Sequence, residues 1–174
     1  MPKIIEEARA RILHTARATL LEKGYTGLSL RGLARDCGMA VGTIYNYFQD
    51  KDTLVACVMM EDWTAALAEM DGACADAACA ADGLEGICRA VEAFAAVYAP
   101  VWGQFSRAGG SSGIIQSRHG LLRGQIEARI RSMMERLEME DTALAPLLAE
   151  AVLAAALQPD IGRDQIRILA GRLR

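Results

Sequence analysis

The residues best equipped to bind a polar partner lie in one short segment, Val41 to Phe48, with the sequence VGTIYNYF. Its hydroxyl groups can donate hydrogen bonds to phosphate oxygens, its asparagine amide can pair with adenine, and a methyl or aromatic edge can meet the thymine methyl group. The segment therefore has the chemistry to contact the backbone and base edges of a nucleic acid. The side chains concerned are Thr43, Tyr45, Asn46 and Tyr47.

Two short helices joined by a tight turn are expected to position that segment. Ser29 can cap the first helix, because its hydroxyl accepts from the free N–H groups of the first turn. Apolar residues follow at helical spacing, namely Leu30, Leu33 and Ala34. Gly38 lies where the chain must turn sharply, at a place for positive φ that other residues adopt only at a cost.

The second helix is predicted to begin near Val41 and to turn Ile44 and Phe48 inward, which leaves its polar side chains toward solvent or a ligand. Ala34, Gly38 and Ile44 have the spacing of a helix-turn-helix, because two short helices that cross steeply have room only for a small side chain at their contact. The second helix of such a unit enters the major groove of DNA.

The stretch GTIYNYF, followed by Lys51 and Leu54, resembles the recognition-helix signature of the TetR family of bacterial transcriptional regulators, roughly G-T-(L/I)-Y-x-(Y/H)-F-x-x-K-x-x-L. The resemblance covers about residues 8 to 56, and the rest of the chain resembles the family in helical layout and length. Ala40 and Val41 stand where the family usually has a serine N-cap and a second polar residue.

The resemblance implies that the chain binds DNA as a transcriptional regulator. Gly42 would let the backbone approach the DNA, Lys51 would pair with a phosphate beside a helix N-terminus, and Ser29 would bind phosphate as well as cap its helix. For Tyr45, a ring packed across the domain seam is the alternative to a DNA contact. The implied DNA contacts are Ser29, Gly42, Thr43, Tyr45, Asn46, Tyr47 and Lys51.

Composition and length favour an all-α protein. Helix-forming residues are abundant, the alternation typical of strands is scarce, and 174 residues contain only four prolines. We expect an N-terminal three-helix helix-turn-helix domain at residues 1–50, followed by a helical ligand-binding and dimerisation domain at residues 51–174. No apolar run reaches the ~18 residues of a membrane span and no signal-peptide core is present, so the expectation is a cytoplasmic protein without a membrane partner.

Charge is distributed unevenly along the chain. Residues 1–52 hold eight lysines and arginines against six acids, whereas residues 53–174 hold eleven against sixteen. A basic end on an acidic body suits the binding of a polyanion by that end alone, although an ordinary solvated surface could have the same counts.

Apolar residues at helical spacing predict four longer helices. Asp50 can cap the second of them, and Pro100 is expected to break or kink the chain after the third. The GGSSG run at residues 109–113 is predicted to be a flexible loop, either a mobile connection or an opening to a pocket. The predicted helices span residues 6–23, ended by Gly24, about 50–70, 83–99 and 118–137.

The segment Leu144 to Leu157 is apolar nearly all round, which a surface helix of one small domain has no reason to be. It could pack against a second copy of the chain, or it could be a central buried helix. The TetR family dimerises through its last two helices, so the resemblance implies a homodimer through about residues 143–173. Two recognition helices would then read two half-sites about 34–36 Å apart, which predicts a palindromic operator. The residues expected to join this interface are Ile166, Leu169, Ala170 and Leu173.

Aromatic and methionine residues are concentrated in the predicted second domain. They could line an adaptable apolar cavity for a small-molecule effector, and they are equally ordinary core residues. An effector that fits only one spacing of the recognition helices would release a repressor from its operator, and the sequence favours a small apolar or amphipathic ligand. The candidate ligand contacts are Met59, Trp63, Phe94, Tyr98, Trp102, Phe105 and Met133.

Other functions have weaker support in the sequence. Five cysteines argue against a disulfide framework, and Cys74 with Cys79 leaves a thiol-based redox-responsive regulator as one alternative. A DNA-binding protein without an effector is another. His14 and His119 lie far apart, so neither a metal nor another cofactor is expected. Because nucleophile-elbow, phosphate-loop and dinucleotide motifs are absent, the sequence predicts no enzyme.

Overall fold

A computed structural model describes residues 2–107, 112–158 and 160–173, with side chains over 7–101, at 104, and over 119–158 and 160–173. Within these ranges every regular element is a helix, which confirms the all-α class. The elements are α1 (Pro2–Gly27), α2 (Leu30–Asp36), α3 (Val41–Tyr47), α4 (Lys51–Asp76), α5 (Ala80–Arg107), α6 (Ser112–Arg136), a 3₁₀ turn (Thr142–Leu144), α7 (Ala145–Leu157) and α8 (Arg163–Ala170).

The described residues form two compact units. The first takes in the described parts of Met1–Asp62 and Val97–Gly109, and the second those of Trp63–Ala96 and Gly110–Arg174. Helices α4 and α5 therefore each contribute residues to both units. The division of function near residue 50 stays a prediction, because compactness reports packing and not activity.

One apolar face of α1 contributes to the core of the first unit. Ile12, Leu13, Ala16 and Leu20 recur at helical spacing and are at most 1% exposed. Full burial of a leucine or isoleucine side chain stabilises a fold by about 1.5–3 kcal/mol. The residues expected to face inward from the two short helices are buried as well: Leu30, Leu33, Ala34, Ile44 and Phe48.

Helix α1 is interrupted at Gly24, which has φ 70° and ψ −179°. A side chain there would be strained by the left-handed φ, and its Cβ would lie 2.8 Å from the amide oxygen of Gln104. That same oxygen accepts a hydrogen bond from the N–H of Thr26 at 3.1 Å. The predicted helix end at Gly24 is confirmed, and Gln104 of α5 holds the short segment that follows it.

The second unit has a separate core drawn from α4 to α8. Trp63 is 1% exposed, donates its indole N–H to Gln125 Oε1 at 2.7 Å, and meets the Phe94 ring edge-on at a centroid distance of 5.0 Å. A Cβ on Gly86 would overlap that of Ala73, so α5 approaches α4 closely at this glycine. Helix α7 packs on both α6 and α8.

The predicted ends of α4 and α5 differ from the structure. Helix α4 continues past Met70 to Asp76, where Arg136 Nη2 donates to the carbonyls of Cys74 and Ala77, each at 2.7 Å, and so closes the helix end. Of the break or kink predicted at Pro100, the break is wrong, because α5 continues to Arg107. Proline removes one backbone hydrogen bond, and buried residues on either side of it compensate by holding the helix in the core of the first unit. Those flanking residues are Tyr98 and Val101.

The predicted GGSSG loop falls partly outside the described residues, which resume at 112. Ser112 and Gly113 begin α6 and are helical, so the loop does not extend to residue 113. None of the described helices combines the length and the apolar character needed to cross a membrane.

Candidate nucleic-acid interface

The turn between α2 and α3 is closed by two backbone hydrogen bonds. The N–H of Gly38 donates to the carbonyl of Arg35 at 3.0 Å, and that of Met39 donates to the carbonyl of Ala34 at 2.8 Å, which is the paired pattern of a Schellman motif. Gly38 has φ 63°, as its place in the sequence predicts. Because few other residues adopt this conformation readily, Gly38 fixes the direction in which α3 begins.

Helix α2 has a side-chain cap at its N-terminus, and α3 has none. The N–H of Gly32 donates to Ser29 Oγ at 3.1 Å, which confirms the predicted cap. Ala40 occupies the N-cap position of α3 and makes no side-chain hydrogen bond to it. The first N–H groups of α3 are therefore left without a capping side chain.

Helix α3 buries one face and presents the other to solvent. Ile44 and Phe48 are 0% and 1% exposed, whereas Tyr45 is 51% exposed. The short helix is thus anchored from beneath, and its polar face is available to a partner, as the apolar spacing predicts. The other residues on this face are exposed or half-buried: Gly42, Thr43, Asn46 and Tyr47.

Lys51 begins α4 and lies against the ring of Tyr25. Its Nζ is 3.9 Å from the ring centroid, a cation–π distance, while the Tyr25 hydroxyl donates to Asp52 Oδ1. Burial lowers the pKa of Lys51, and Asp52 acts against that shift. Asp50 Oδ1 accepts from the N–H of Thr53 at 2.7 Å, which confirms the predicted cap and lowers the pKa of Asp50.

Tyr25 is the interface residue that sequence reasoning misses. It lies near the end of α1, separated from Lys51 by both helices of the helix-turn-helix, and no spacing rule pairs the two positions. The local signal is only an aromatic residue directly after Gly24, where the chain direction changes. The predicted DNA contacts that the structure brings together are those of α3, while Ser29 caps α2 and Lys51 begins α4.

A second polar cluster in the first unit joins three helices. Arg17 Nε donates to Asp62 Oδ2 at 2.8 Å, and the hydroxyl of Tyr98 donates to the same oxygen at 2.5 Å. Burial, with a smaller contribution from Asp62, raises the pKa of Tyr98 well above its usual range, so its phenol remains a hydrogen-bond donor. These contacts tie α1, α4 and α5 together around a carboxylate.

The predicted ligand contacts are divided between the units. Met59 and Tyr98 are buried in the first unit, and three others lie in the core of the second or pack against it. Trp102 and Phe105 lie outside the described side chains. A ligand site built from these residues stays a prediction. The three in the second unit are Trp63, Phe94 and Met133.

The five cysteines are free thiols in this structure. Burial raises the pKa of Cys74, and it raises the pKa of Cys88 to about 12, which disfavours the reactive thiolate at both positions. Cys79 is exposed. In the described parts of the chain, no three histidine, cysteine, aspartate or glutamate side chains come together as metal ligands would.

Residues 12–58, which contain α2, α3 and the contact between Tyr25 and Lys51, match a family model described as bacterial regulatory proteins, tetR family. The chain is also similar to the HTH-type transcriptional regulator UidR of Escherichia coli (strain K12), with 32% identity over 63 residues, or 36% of this chain and 32% of that protein. The chain thus spans about a quarter to a third of the length of the curated relatives it matches.

Solved structures share the fold over nearly the whole chain. Salmonella enterica GusR aligns with a TM-score of 0.66 and 19% identity, over 94% of this chain and 93% of that one. The crystal structure of AibR in complex with isovaleryl coenzyme A and operator DNA aligns with a TM-score of 0.52 and 19% identity, over 95% and 97% of the two chains. At these identities the likeness concerns the fold.

The described geometry is that of a helix-turn-helix protein. It combines a turn at a left-handed glycine, a buried apolar face of α3 and an outward polar face of the same helix. The family model and the curated relatives specify the class further. Residues 12–58 thus carry the helix-turn-helix of the bacterial regulatory proteins of the tetR family, and the described helical remainder shares its fold with solved structures such as Salmonella enterica GusR.

Proposed function

We propose that this protein is a repressor that binds a palindromic operator as a homodimer and leaves it when a small apolar or amphipathic ligand binds. The observation that carries the proposal is the outward face of α3, where Tyr45 is half exposed above buried Ile44. Hydroxyl, amide and aromatic groups on that face match the acceptors of phosphates and the edges of bases in the major groove.

Lys51 and Ser29 extend this surface beyond α3. The ammonium group of Lys51 belongs to the first turn of α4, where the helix dipole adds to its attraction for a phosphate. The Ser29 hydroxyl accepts from Gly32, and its own proton can be donated to a phosphate oxygen. We therefore assign DNA binding to residues 1–50 together with Lys51, and effector binding and dimerisation to the rest of the chain.

Dimerisation is supported by apolar surface on the last two helices. Leu147, Leu157 and Ile168 are 61%, 64% and 62% exposed, and Leu169 is 41% exposed. Such large exposed side chains in one region are typical of protein–protein contacts. The surface differs from the predicted one, because two expected interface residues are buried in the chain's own core. These two are Ile166 and Ala170.

The dimer assignment can be tested by light scattering on a chain that carries Leu157→Glu and Ile168→Glu. We expect a monomer that keeps its helical content, because both positions are exposed and a charge there opposes only an apolar contact between copies. If this variant remains dimeric, α7 and α8 do not form the interface.

Effector binding is supported by the aromatic and methionine content of the second unit and by AibR, whose crystal contains isovaleryl coenzyme A as well as operator DNA. A ligand that binds only the released conformation lowers operator affinity in proportion to its preference for that conformation. A screen for compounds that raise the melting temperature, followed by operator titration, tests this part. If every stabilising compound leaves operator affinity unchanged, the effector proposal fails.

Operator binding is tested by selecting ligands from a random double-stranded DNA library with the purified protein, followed by footprinting. Two inverted half-sites about 34–36 Å apart are expected, because each protomer presents one recognition helix. The matched control is Tyr45→Ala, which should enrich the same library poorly. Failure of the folded wild-type dimer to enrich any sequence would contradict the proposal.

A further inference from the structure

We propose that Tyr25 is a positioning residue for DNA binding, whose ring holds the ammonium group of Lys51 where it meets a backbone phosphate. The inference rests on the proposed function, since it concerns the same surface. Tyr25 itself lies in α1, outside the helix-turn-helix, and it acts through Lys51 rather than by contacting base edges.

The contact between the two side chains is close and directed. Lys51 Nζ lies 3.9 Å from the Tyr25 ring centroid, well within the ~6 Å over which a cation is attracted to an aromatic face. A lysine side chain is long and flexible, and much of its rotamer entropy is lost when it binds a phosphate. A lysine that already rests on a ring has lost part of that freedom before DNA arrives, so binding is stronger for the same ionic contact.

The hydroxyl of Tyr25 has a second effect at the same place. It donates to the carboxylate of Asp52, the residue next to Lys51, and so fixes the direction of that side chain. Burial and this hydrogen bond raise the pKa of Tyr25 to about 12, so the phenol remains neutral and continues to donate. One tyrosine therefore orders the cation and engages the neighbouring carboxylate.

The position of the ring is itself fixed by the backbone around it. Gly24 breaks α1 immediately before Tyr25, and the N–H of Thr26 immediately after it is held by Gln104 Oε1 at 3.1 Å. The carbonyl of Tyr25 accepts from the N–H of Leu28 at 3.3 Å. Hydrogen bonds therefore hold the backbone on both sides of Tyr25, as the role of a positioning residue requires.

The test compares Tyr25→Phe and Tyr25→Met with the wild-type chain by titrating the selected operator at several salt concentrations. Phenylalanine keeps the aromatic face, whereas methionine fills similar space without one. We expect operator affinity to fall about three- to tenfold with methionine and less with phenylalanine. The salt slope should fall with Lys51→Ala, by about one unit for each half-site, and stay near wild type with both Tyr25 variants, because these keep the Lys51 cation.

A double-mutant cycle separates positioning from general stabilisation. Adding Tyr25→Met to Lys51→Ala should weaken binding no further, because the lysine through which the ring acts is already gone. Lys23→Ala is the matched control, since its side chain is 54% exposed and contacts only the neighbouring Glu22 at 3.9 Å among the ion pairs of the described residues. That variant should leave the effect of Tyr25→Met unchanged.

A readout without DNA keeps the inference testable if Tyr25→Met fails to fold. The chain has three lysines, so the side-chain proton signals of Lys51 can be assigned by comparison with Lys51→Arg. Ring-current shielding should move them upfield in the wild-type protein. Three results would overturn this inference while leaving the proposed function intact. They are unshifted Lys51 signals, affinity losses from Tyr25→Met that add fully to those of Lys51→Ala, and a Tyr25→Met variant that binds operator like wild type. Absence of operator binding by the wild-type dimer would instead overturn the proposed function.

Discussion

Tyr45 and Trp63 show how differently the two units use an aromatic side chain. Tyr45 is 51% exposed on α3, over the buried Ile44, whereas Trp63 is 1% exposed and donates its indole N–H to Gln125. The first ring therefore contributes little to the packing of its unit, and the second is a large part of it. An exposed ring on a rigid support is suited to a partner, while a buried ring with a satisfied donor is suited to stability.

This contrast is tested most strongly by Trp63→Ala. We expect the free energy of unfolding to fall by about 3–5 kcal/mol, because the change leaves a cavity and removes the partner of the Gln125 amide. Urea titration monitored by circular dichroism measures the loss. At temperatures where the variant is folded, its operator affinity should be close to wild type. A stable variant with lost DNA binding would show that the two rings have been assigned the wrong roles.

Tyr45→Ala is expected to have the opposite profile. Its free energy of unfolding should change by no more than about 0.5 kcal/mol, because the ring is largely outside the core. Operator affinity should fall about tenfold or more, with a smaller loss on unrelated DNA, because base-edge contacts distinguish the two. Parallel titrations of operator and scrambled duplex measure the difference. Equal losses of affinity for both duplexes would mean that Tyr45 contacts a phosphate and not a base edge.

A smaller effect is expected from Gly38→Ala, with Gly42→Ala as its control. Alanine at Gly38 must adopt φ 63° and should destabilise the chain by about 1–2 kcal/mol. Gly42 lies inside α3 with open space around it, so alanine there should leave stability unchanged or slightly higher. Thermal unfolding of both variants makes the comparison. If the two behave alike, the turn is not held by its left-handed glycine.

The smallest expected effect is the gain from Ala40→Ser. A serine hydroxyl can accept from the free N–H groups at the start of α3, which should add about 0.5–1 kcal/mol to the free energy of unfolding. Ala40→Gly, which lacks a hydroxyl, should not reproduce that gain. A melting temperature that falls with serine would mean that the start of α3 is not free to accept a cap.

What could be predicted from the sequence is what depends on neighbours a few positions apart. The Ser29 cap, the left-handed Gly38 and the inward Ile44 each follow from the local pattern of one turn or one helix, and the structure confirms all three. The outward face of α3 follows from the same pattern, because it is what remains when Ile44 and Phe48 point inward.

What could not be predicted depends on contacts between distant segments. The pairing of Tyr25 with Lys51 requires the end of α1 to meet the start of α4, and no periodicity encodes that meeting. Pro100 lowers helix propensity locally, yet packing on both sides of it keeps α5 continuous. The same limit applies to Ile166, whose apolar character predicts burial without saying whether its own chain or a second copy covers it.

The most direct test of the central claim is a salt titration of wild-type protein on its selected palindrome and on a scrambled duplex of equal length. If α3 and Lys51 form an operator-binding surface, both affinities should fall steeply with salt, and the palindrome should be bound about a thousandfold or more tightly throughout. Equal affinity for the two duplexes, or an affinity that does not respond to salt, would contradict the assignment of this surface to sequence-specific DNA binding.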